Sequence, residues 1–125
     1  MTDTKRDSDA VTDLQLNKIC ADALGILTDG LFPGCRSGLW MPKRGDMAIW
    51  CPVEDDFQAN SCALWLGERG TLIKTKTMLM FIPDRQEKDY DQTVAYKAEF
   101  RSQYLRAICR ILHWEYTRDK EDALA

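Results

Sequence analysis

The most reactive side chains in this sequence belong to five cysteines and one histidine. Structural zinc sites take cysteine and histidine ligands at short paired spacings, and the sequence has no C-x-x-C pair. Cys109 and His113 are four residues apart, a spacing that makes them neighbours on a helix and could join a thiol nucleophile to a base. On a helical wheel, however, Cys109 falls on the apolar side and His113 at its polar border. We therefore predict buried, reduced thiols, with no metal, no cofactor and no catalytic residue.

A run of three carboxylates, Glu54, Asp55 and Asp56, is the next candidate for chemistry. Paired carboxylates perform acid–base catalysis and bind divalent cations, so a small enzyme acting on nucleotides is one hypothesis. Acidic residues also stabilise a helix N-terminus through the helix dipole, and Asp55 followed by Gln58 resembles a capping box. The spacing favours helix capping over catalysis.

Basic residues near tryptophans could bind nucleic acid through charge and base stacking. The chain has 17 Lys+Arg against 20 Asp+Glu, a formal net charge of −3. Nucleic-acid-binding domains generally carry a positive excess, because phosphate contacts supply most of the affinity. We do not expect nucleic acid as the main ligand, and a small nucleic-acid-binding regulator is kept as an alternative. The residues concerned are Lys43, Arg44, Arg69, Lys74 and Lys76, with Trp40, Trp50 and Trp65.

Hydrophobic periodicity predicts the elements that position these residues. A first amphipathic helix of about five turns is capped by Ser8 or Asp9 and ends at Gly30. Proline and glycine predict a loop over residues 31–45, around a short extended piece at Leu39–Met41. Alternating apolar residues predict a strand over 46–53. Apolar residues at helical spacing then predict a short helix, Asp56–Leu66, with a strand through its second half as the alternative.

The second half of the chain is predicted to hold one long strand and one long helix. The strand covers Thr71–Ile82, where β-branched residues favour a pleated sheet. The helix runs from Asp91 to about Arg118 and has two apolar stripes. One stripe is Val94, Ala98, Leu105, Ile108, Cys109, Leu112 and Tyr116, and the other is Tyr96, Phe100, Tyr104, Ala107, Ile111 and Trp114. Aromatic residues are enriched in interfaces, so the second stripe is covered either by the first helix or by a partner.

Together these elements predict an α+β fold, with long N- and C-terminal helices packed on a small antiparallel sheet and a short central helix. A chain of 125 residues fits one domain, placed at residues 9–118 between disordered tails at 1–8 and 119–125. No apolar run approaches the ~20 residues that span a bilayer, and the polar start lacks the apolar segment of a signal peptide. We therefore expect a cytoplasmic protein with no membrane contact.

Three segments together resemble a known group of proteins. They are ADALGIL at the end of the first helix, the segment Trp50, Pro52, Asp55 and Asp56 leading into ANSCALWLG, and RAICRIL at Arg106–Leu112. Across about half of the chain, the sequence resembles small accessory proteins of tailed phages and prophages, which share no catalytic residues. The resemblance implies a protein that acts in a bacterial host cell by occupying a surface of a host machine, such as a CRISPR defence effector. The strand Thr71–Ile82 and the aromatic closing helix depart from that group's pattern.

The leading hypothesis is a non-enzymatic, anti-CRISPR-like protein of phage or prophage origin that binds and inhibits a host protein complex. A homodimer formed through the same aromatic face is a further hypothesis. The residues predicted to contact the partner are Phe100, Tyr104, Ile111 and Trp114 in the aromatic stripe and Glu54, Asp55 and Asp56 in the acidic run. Acidic residues between Asp84 and Asp91 are predicted to add further contacts.

Overall fold

The computed structural model of the chain describes residues 11–42, 48–84 and 93–124, with side chains described through residue 118. Helices and two small antiparallel sheets give it a mixed α+β fold. β1 pairs with β2, and a separate three-stranded sheet has the order β3-β4-β5. The predicted tail at 1–8 lies outside the described residues. In chain order the elements are α1 (Asp13–Leu24), β1 (Leu39–Trp40), β2 (Ile49–Trp50), α2 (Asp56–Gly67), β3 (Gly70–Lys74), β4 (Met78–Pro83), β5 (Val94–Lys97) and α3 (Arg101–Leu124).

Local hydrogen bonds fix both ends of α1. The Thr12 hydroxyl accepts a hydrogen bond from Gln15 N, and the Gln15 side chain accepts one from Thr12 N, which makes a capping box. Gly25 ends the helix with a φ of 71°, a left-handed conformation that glycine adopts without strain. The helix is therefore shorter than predicted. Thr12 replaces Asp9 as the N-cap, and the predicted end at Gly30 is wrong because Gly25 already satisfies the last carbonyls.

The β1–β2 pair is a short antiparallel ribbon in contact with α1. Leu39 pairs with Trp50, and each strand has only two residues. The strand predicted over residues 46–53 is therefore much shorter in the structure, and part of that range lies outside the described residues. Pro52 lacks an N–H and cannot donate to a ladder, which explains why pairing stops soon after Trp50.

The segment Thr71–Ile82, predicted as one strand, is a β-hairpin. β3 and β4 pair antiparallel, and Thr75 closes the turn between them. Its N–H donates to the Met78 carbonyl at 2.9 Å, and its hydroxyl accepts from the Met78 N–H at 3.0 Å. The turn contains no glycine, proline or asparagine, the residues that usually mark a reversal in a sequence. A threonine hydroxyl stabilises it instead, and the β-branched residues on either side make the two strands look continuous.

The closing helix differs from its prediction at both ends. Its predicted first residues, 94–97, form β5, because pairing with β4 satisfies their backbone groups and buries Val94 and Tyr96. Helix α3 begins at Arg101, and its backbone stays helical through Leu124, across most of the segment predicted as a disordered tail. Two members of the predicted apolar stripes, Val94 and Tyr96, are therefore strand residues.

Helix α3 is the central element of the fold, since it contacts α1, α2, β4 and β5. Side-chain pairs along its length show that α1 and α2 both run in the same direction as α3. The pairs are Asp13 with Arg106 (2.9 Å) and Asp22 with Tyr116 (2.6 Å) for α1, and Asp56 with Arg101 (2.9 Å) and Trp65 with Tyr116 (ring centroids 6.1 Å) for α2. Both stripes of α3 are needed for this packing, so the helix is covered on several sides within the chain.

Each helix contributes one fully buried cysteine to the core: Cys20 from α1, Cys62 from α2 and Cys109 from α3. The three thiols lie close enough to share hydrogen bonds. Burial raises the pKa of Cys20, and hydrogen bonds with its two neighbours raise it further. Hydrogen bonds from Cys109 and Cys20 instead lower the pKa of Cys62 to about 5. All five cysteines are free thiols, in agreement with the prediction.

Thiol labelling of the native chain is expected to separate two classes of cysteine. Cys35 and Cys51 are partly exposed, whereas the three core cysteines are not exposed. An aromatic disulfide reagent should modify two thiols promptly and the other three only as the protein unfolds, because attack requires access to the sulfur. Burial raises the pKa of Cys51, so its labelling rate should keep rising above the usual pH range of a thiol. Peptide mass spectrometry identifies the sites, and prompt labelling of Cys62 would contradict the expectation.

Candidate protein-binding surface

Helix α2 begins at the acidic run and is anchored to β2. Asp55 is its N-cap, and the Asp55 carboxylate accepts from Gln58 N at 2.9 Å. The Gln58 side chain does not complete the expected capping box. It accepts from Cys51 N at 2.6 Å and donates to Ile49 O at 2.7 Å. The helix predicted at Asp56–Leu66 is confirmed, with one further residue at its end.

Helix α2 has apolar residues on two opposite sides. On the side away from the core, Phe57 is 82% exposed and Leu64 is 66% exposed. Two helical turns separate them, so they stand about 10 Å apart on one face. We call Phe57, Asn60 and Leu64 the α2 surface. A helix that is apolar all round is normally buried all round, and this face is left open by the described part of the chain. The buried side consists of Ala59, Cys62, Trp65 and Leu66.

An ion pair joins the start of α2 to the start of α3. Arg101 Nε lies 2.9 Å from both carboxylate oxygens of Asp56, and its Nη2 donates to the Glu54 carbonyl at 3.1 Å. The pair is solvent-exposed, so it contributes little stability. Its consequence is positional. Phe100, which is 66% exposed, precedes Arg101, so this ion pair holds Phe100 and the acidic run at one end of the molecule.

A shallow apolar groove borders the α2 surface on the side of α1 and the β1–β2 ribbon. Its volume is about 230 Å³. Trp50 is held at the groove by a hydrogen bond from its Nε1 to the Asn17 carbonyl at 2.9 Å. The groove continues the apolar area of Phe57 towards the end of α1, where Leu27 is 55% exposed. The lining residues are Leu24, Ile26, Met41, Trp50, Phe57, Gln58 and Ser61.

The aromatic stripe predicted on α3 does not form a surface. Ile111 is completely buried in the core, so the prediction that it contacts a partner is wrong, because α3 is enclosed by its neighbours. Tyr104 is half-buried. Trp114 is half-buried as well, and the Arg118 guanidinium lies 4.9 Å from its ring centroid. Phe100 is the member of the stripe that remains exposed.

The sequence analysis missed Phe57 and Leu64. A helical wheel of the predicted helix Asp56–Leu66 places both opposite its core residues Ala59 and Cys62. That pattern was available without the structure, and it indicates an apolar face with no partner inside a two-layer fold.

A second depression, of about 410 Å³, lies on the other side of Gln58. Cys51 is its most reactive group: its Sγ lies 3.7 Å from a Glu54 carboxylate oxygen and accepts from the Asn17 amide at 3.4 Å. Burial raises the pKa of Cys51, and the nearby Glu54 carboxylate raises it further. A nucleophilic thiol needs the opposite shift, so this arrangement does not favour cysteine catalysis. The depression is lined by Cys35, Arg36, Ser37, Gly38, Ile49, Cys51, Glu54, Asp55 and Gln58.

Comparisons with protein-family models, with curated proteins and with solved structures give no match to this chain. Within residues 11–42, 48–84 and 93–124, no group of three or more His, Cys, Asp or Glu side chains is placed to hold a metal ion. None of the helices in those ranges has the length and apolar character required to cross a bilayer.

The basic residues considered for nucleic-acid binding do not share a surface with exposed tryptophans. Trp50 and Trp65 are buried, with 3% and 9% exposure, so neither ring can stack on a base. The Arg69 guanidinium packs 3.8 Å from the Trp65 ring centroid and donates to the Trp65 carbonyl. Lys43 and Arg44 lie outside the described residues. The geometry therefore gives the nucleic-acid alternative no stacking platform in the described chain.

Proposed function

We propose that this chain is a non-enzymatic protein that binds a partner protein through the α2 surface, with Phe57 as the anchor. The observation that supports the proposal is the 82% exposure of the Phe57 ring on a helix that is fixed at its start. A few large side chains, set in pockets of the partner, supply most of the energy of protein association. Leu64 and the neighbouring groove extend the apolar contact, and Phe100 widens it at the end near α3.

The charge around Phe57 indicates the chemistry of the partner. Glu54, Asp55 and Asp56 are all exposed at the start of α2, and Arg101 neutralises Asp56. Two carboxylates therefore remain beside the ring. A partner with an apolar pocket and basic groups at its rim would match both features, because complementary charge favours association and rejects wrong partners.

The finer part of the proposal is that the partner is a host protein complex in the bacterial cytoplasm, with a CRISPR-type effector as the first to test. It is supported by the resemblance of three segments to phage accessory proteins. In this proposal the chain inhibits the complex by covering a surface that the complex needs for its substrate. The acidic residues 85–91 that were predicted as further contacts lie outside the described residues.

Titration of purified CRISPR-type effectors with the chain, followed by calorimetry and an effector activity assay, tests this proposal. Substituting serine at both Phe57 and Leu64 should weaken binding at least about 30-fold, since interface anchors contribute about 2 kcal/mol or more. Both side chains are exposed, so the double variant should fold.

The matched control is Met78→Ser, which removes an apolar side chain that is 38% exposed on the three-stranded sheet. Binding and inhibition should be unchanged in this variant. If the Phe57 and Leu64 double variant binds as tightly as the control, the α2 surface is not the contact. If effectors bind neither protein, affinity capture from host lysate with the same three proteins seeks a partner that only the double variant loses.

A second candidate function is binding or turnover of a nucleotide at the Cys51 depression. The observation in its favour is that Glu54, Asp55 and Arg36 line one concave site, which is the arrangement expected of a nucleotide-acting enzyme. Asp55 is already used as a helix cap, and Asp56 is paired with Arg101, which leaves Glu54 as the acid. Nucleotide titration monitored by NMR, with Glu54→Gln as the comparison, decides this alternative.

A further inference from the structure

The three-stranded sheet has one face against the helices and one open face. Along β4 and β5, alternate residues are buried, as expected when a single face packs on a core. The inward residues are Leu72, Leu79, Phe81, Val94 and Tyr96. The residues between them point to the opposite side and form what we call the outer face: Thr71, Ile73, Met78, Met80, Ile82, Ala95 and Lys97.

The centre of the outer face is apolar. Ile73, Met80 and Ala95 are directly paired across the three strands and form one row. Met78 and Ile82 lie on either side of Met80 along β4, and Ile73, Met78 and Ile82 keep between 36% and 38% of their surface exposed. An open sheet face is usually polar, so a continuous apolar row across all three strands indicates a face that is covered in use.

The remaining segments of this chain do not have the composition to cover the outer face. Residues 1–10 read MTDTKRDSDA and residues 85–92 read RQEKDYDQ. Neither contains a run of apolar residues that could match the row of Ile73, Met80 and Ala95. The cover must therefore come from another molecule.

The charges on the outer face are arranged at its two ends. Lys97 pairs with Met78 at one end, and its side chain is 68% exposed. Asp84 follows β4 at the other end, where its N–H donates to the Arg69 carbonyl at 2.9 Å. Alternation along the strand places Asp84 in phase with Met80 and Ile82. One basic end and one acidic end are thus separated by an apolar centre.

This pattern is self-complementary. We infer that the outer face binds a second copy of the chain, face to face, about a two-fold axis that crosses the strands near Met80. Such an axis reverses the strand direction in the second copy and sets the Lys97 end of each sheet over the Asp84 end of the other. The same patch is used by both copies, as closed two-fold symmetry requires. Sheets packed this way lie about 10 Å apart, within reach of a lysine and an aspartate side chain.

The size of the face predicts a weak dimer. Three strands about 4.8 Å apart, with about 3.4 Å per residue, give an outer face of roughly 15 by 20 Å. That is well below the ~800 Å² per partner of a standard stable interface. The structure therefore assigns this face to reversible, concentration-dependent pairing that leaves the α2 surface free for another protein. The inference is independent of the function proposed above.

Sedimentation equilibrium and methyl NMR of the full chain test the inference. The average mass should rise towards twice that of one chain between micromolar and millimolar concentration. The methyl signals of Met78 and Met80 should shift over the same range, while the signal of Met41, which is buried elsewhere, stays fixed. Met80→Glu should raise the dissociation constant at least about tenfold, because it places like charges near the axis. The matched control Leu64→Glu, on the α2 surface, should leave it unchanged.

Charge reversal provides a second readout that does not depend on the stability of Met80→Glu. Lys97→Glu and Asp84→Lys should each weaken the dimer, and the double variant should restore it, which happens only if the two side chains meet across the interface. A chain that stays monomeric at every concentration overturns the inference. So does a dimer that leaves the Met78 and Met80 signals unmoved, or one that Leu64→Glu disrupts and Met80→Glu does not.

Discussion

Replacing Asn17 with leucine is expected to destabilise the fold by about 3 kcal/mol, because two buried backbone groups lose their hydrogen bonds. Asn17 is fully buried in α1. Its amide donates to the Ser37 carbonyl at 2.9 Å, and its side-chain oxygen accepts from the Val53 N–H at 3.4 Å. Each buried group left without a partner costs about 1–3 kcal/mol. Urea unfolding followed by tryptophan fluorescence measures the loss.

The matched control for this variant is Asn60→Leu, which makes the same change on the exposed side of α2. We expect a change in the free energy of unfolding within about 0.5 kcal/mol, since surface substitutions rarely do more. If both variants unfold at the same urea concentration as the unmodified chain, the hydrogen bonds of Asn17 do not hold α1 to the loop at Ser37 and the segment before α2.

The substitution Gly70→Ala is expected to cost about 2–3 kcal/mol through overpacking. A Cβ atom at Gly70 would overlap the carbonyl oxygen of Ile82 and come within 2.7 Å of the Phe81 ring. Phe81 is completely buried and cannot move aside, and Gly70 pairs with Pro83 in the hairpin. The added carbon therefore forces the start of β3 away from β4. Thermal unfolding followed by circular dichroism measures the effect.

Gly67→Ala is the control, because it adds the same methyl group at the end of α2 where no atom lies within 4 Å. Alanine favours helix by up to about 1 kcal/mol over glycine, so this variant should unfold at the same temperature as the unmodified chain or slightly higher. Equal destabilisation by both substitutions would show that the loss of glycine itself, and not contact with Phe81 and Ile82, is responsible.

Local chemistry in the sequence predicted α2 well and the second half of the chain poorly. The N-cap at Asp55 and the end near Gly67 depend on hydrogen bonds within a few residues, so the sequence pattern contains them. The reversal at Thr75 has no such signal, because a hydroxyl replaces the usual glycine or proline. Strand β5 is stable only through pairing with β4, and a segment that reads as helix by itself becomes strand when a partner edge is present.

The candidate surface shows the same division. The acidic run and Phe100 were predicted as contacts from their residue types alone, and the ion pair of Asp56 with Arg101 shows why they lie together. The sequence could not show that Ile111 is enclosed, because its burial depends on packing between α3 and elements distant in the chain. Phe57 was within reach of a helical wheel, but its exposure becomes meaningful only when its neighbours are known to leave that side open.

The central position of α3 has a consequence for how the protein is made. The contacts that close the core join residues far apart in the chain, as in the pair Asp13 and Arg106, which are 93 positions apart. During synthesis, α1, α2 and the hairpin all leave the ribosome before the helix that covers their apolar sides. The nascent chain must therefore wait with its cysteine-bearing faces open to solvent, and topologies rich in such long-range contacts fold slowly. Chaperone capture during that interval is a physical requirement of this fold more than of most chains of its length.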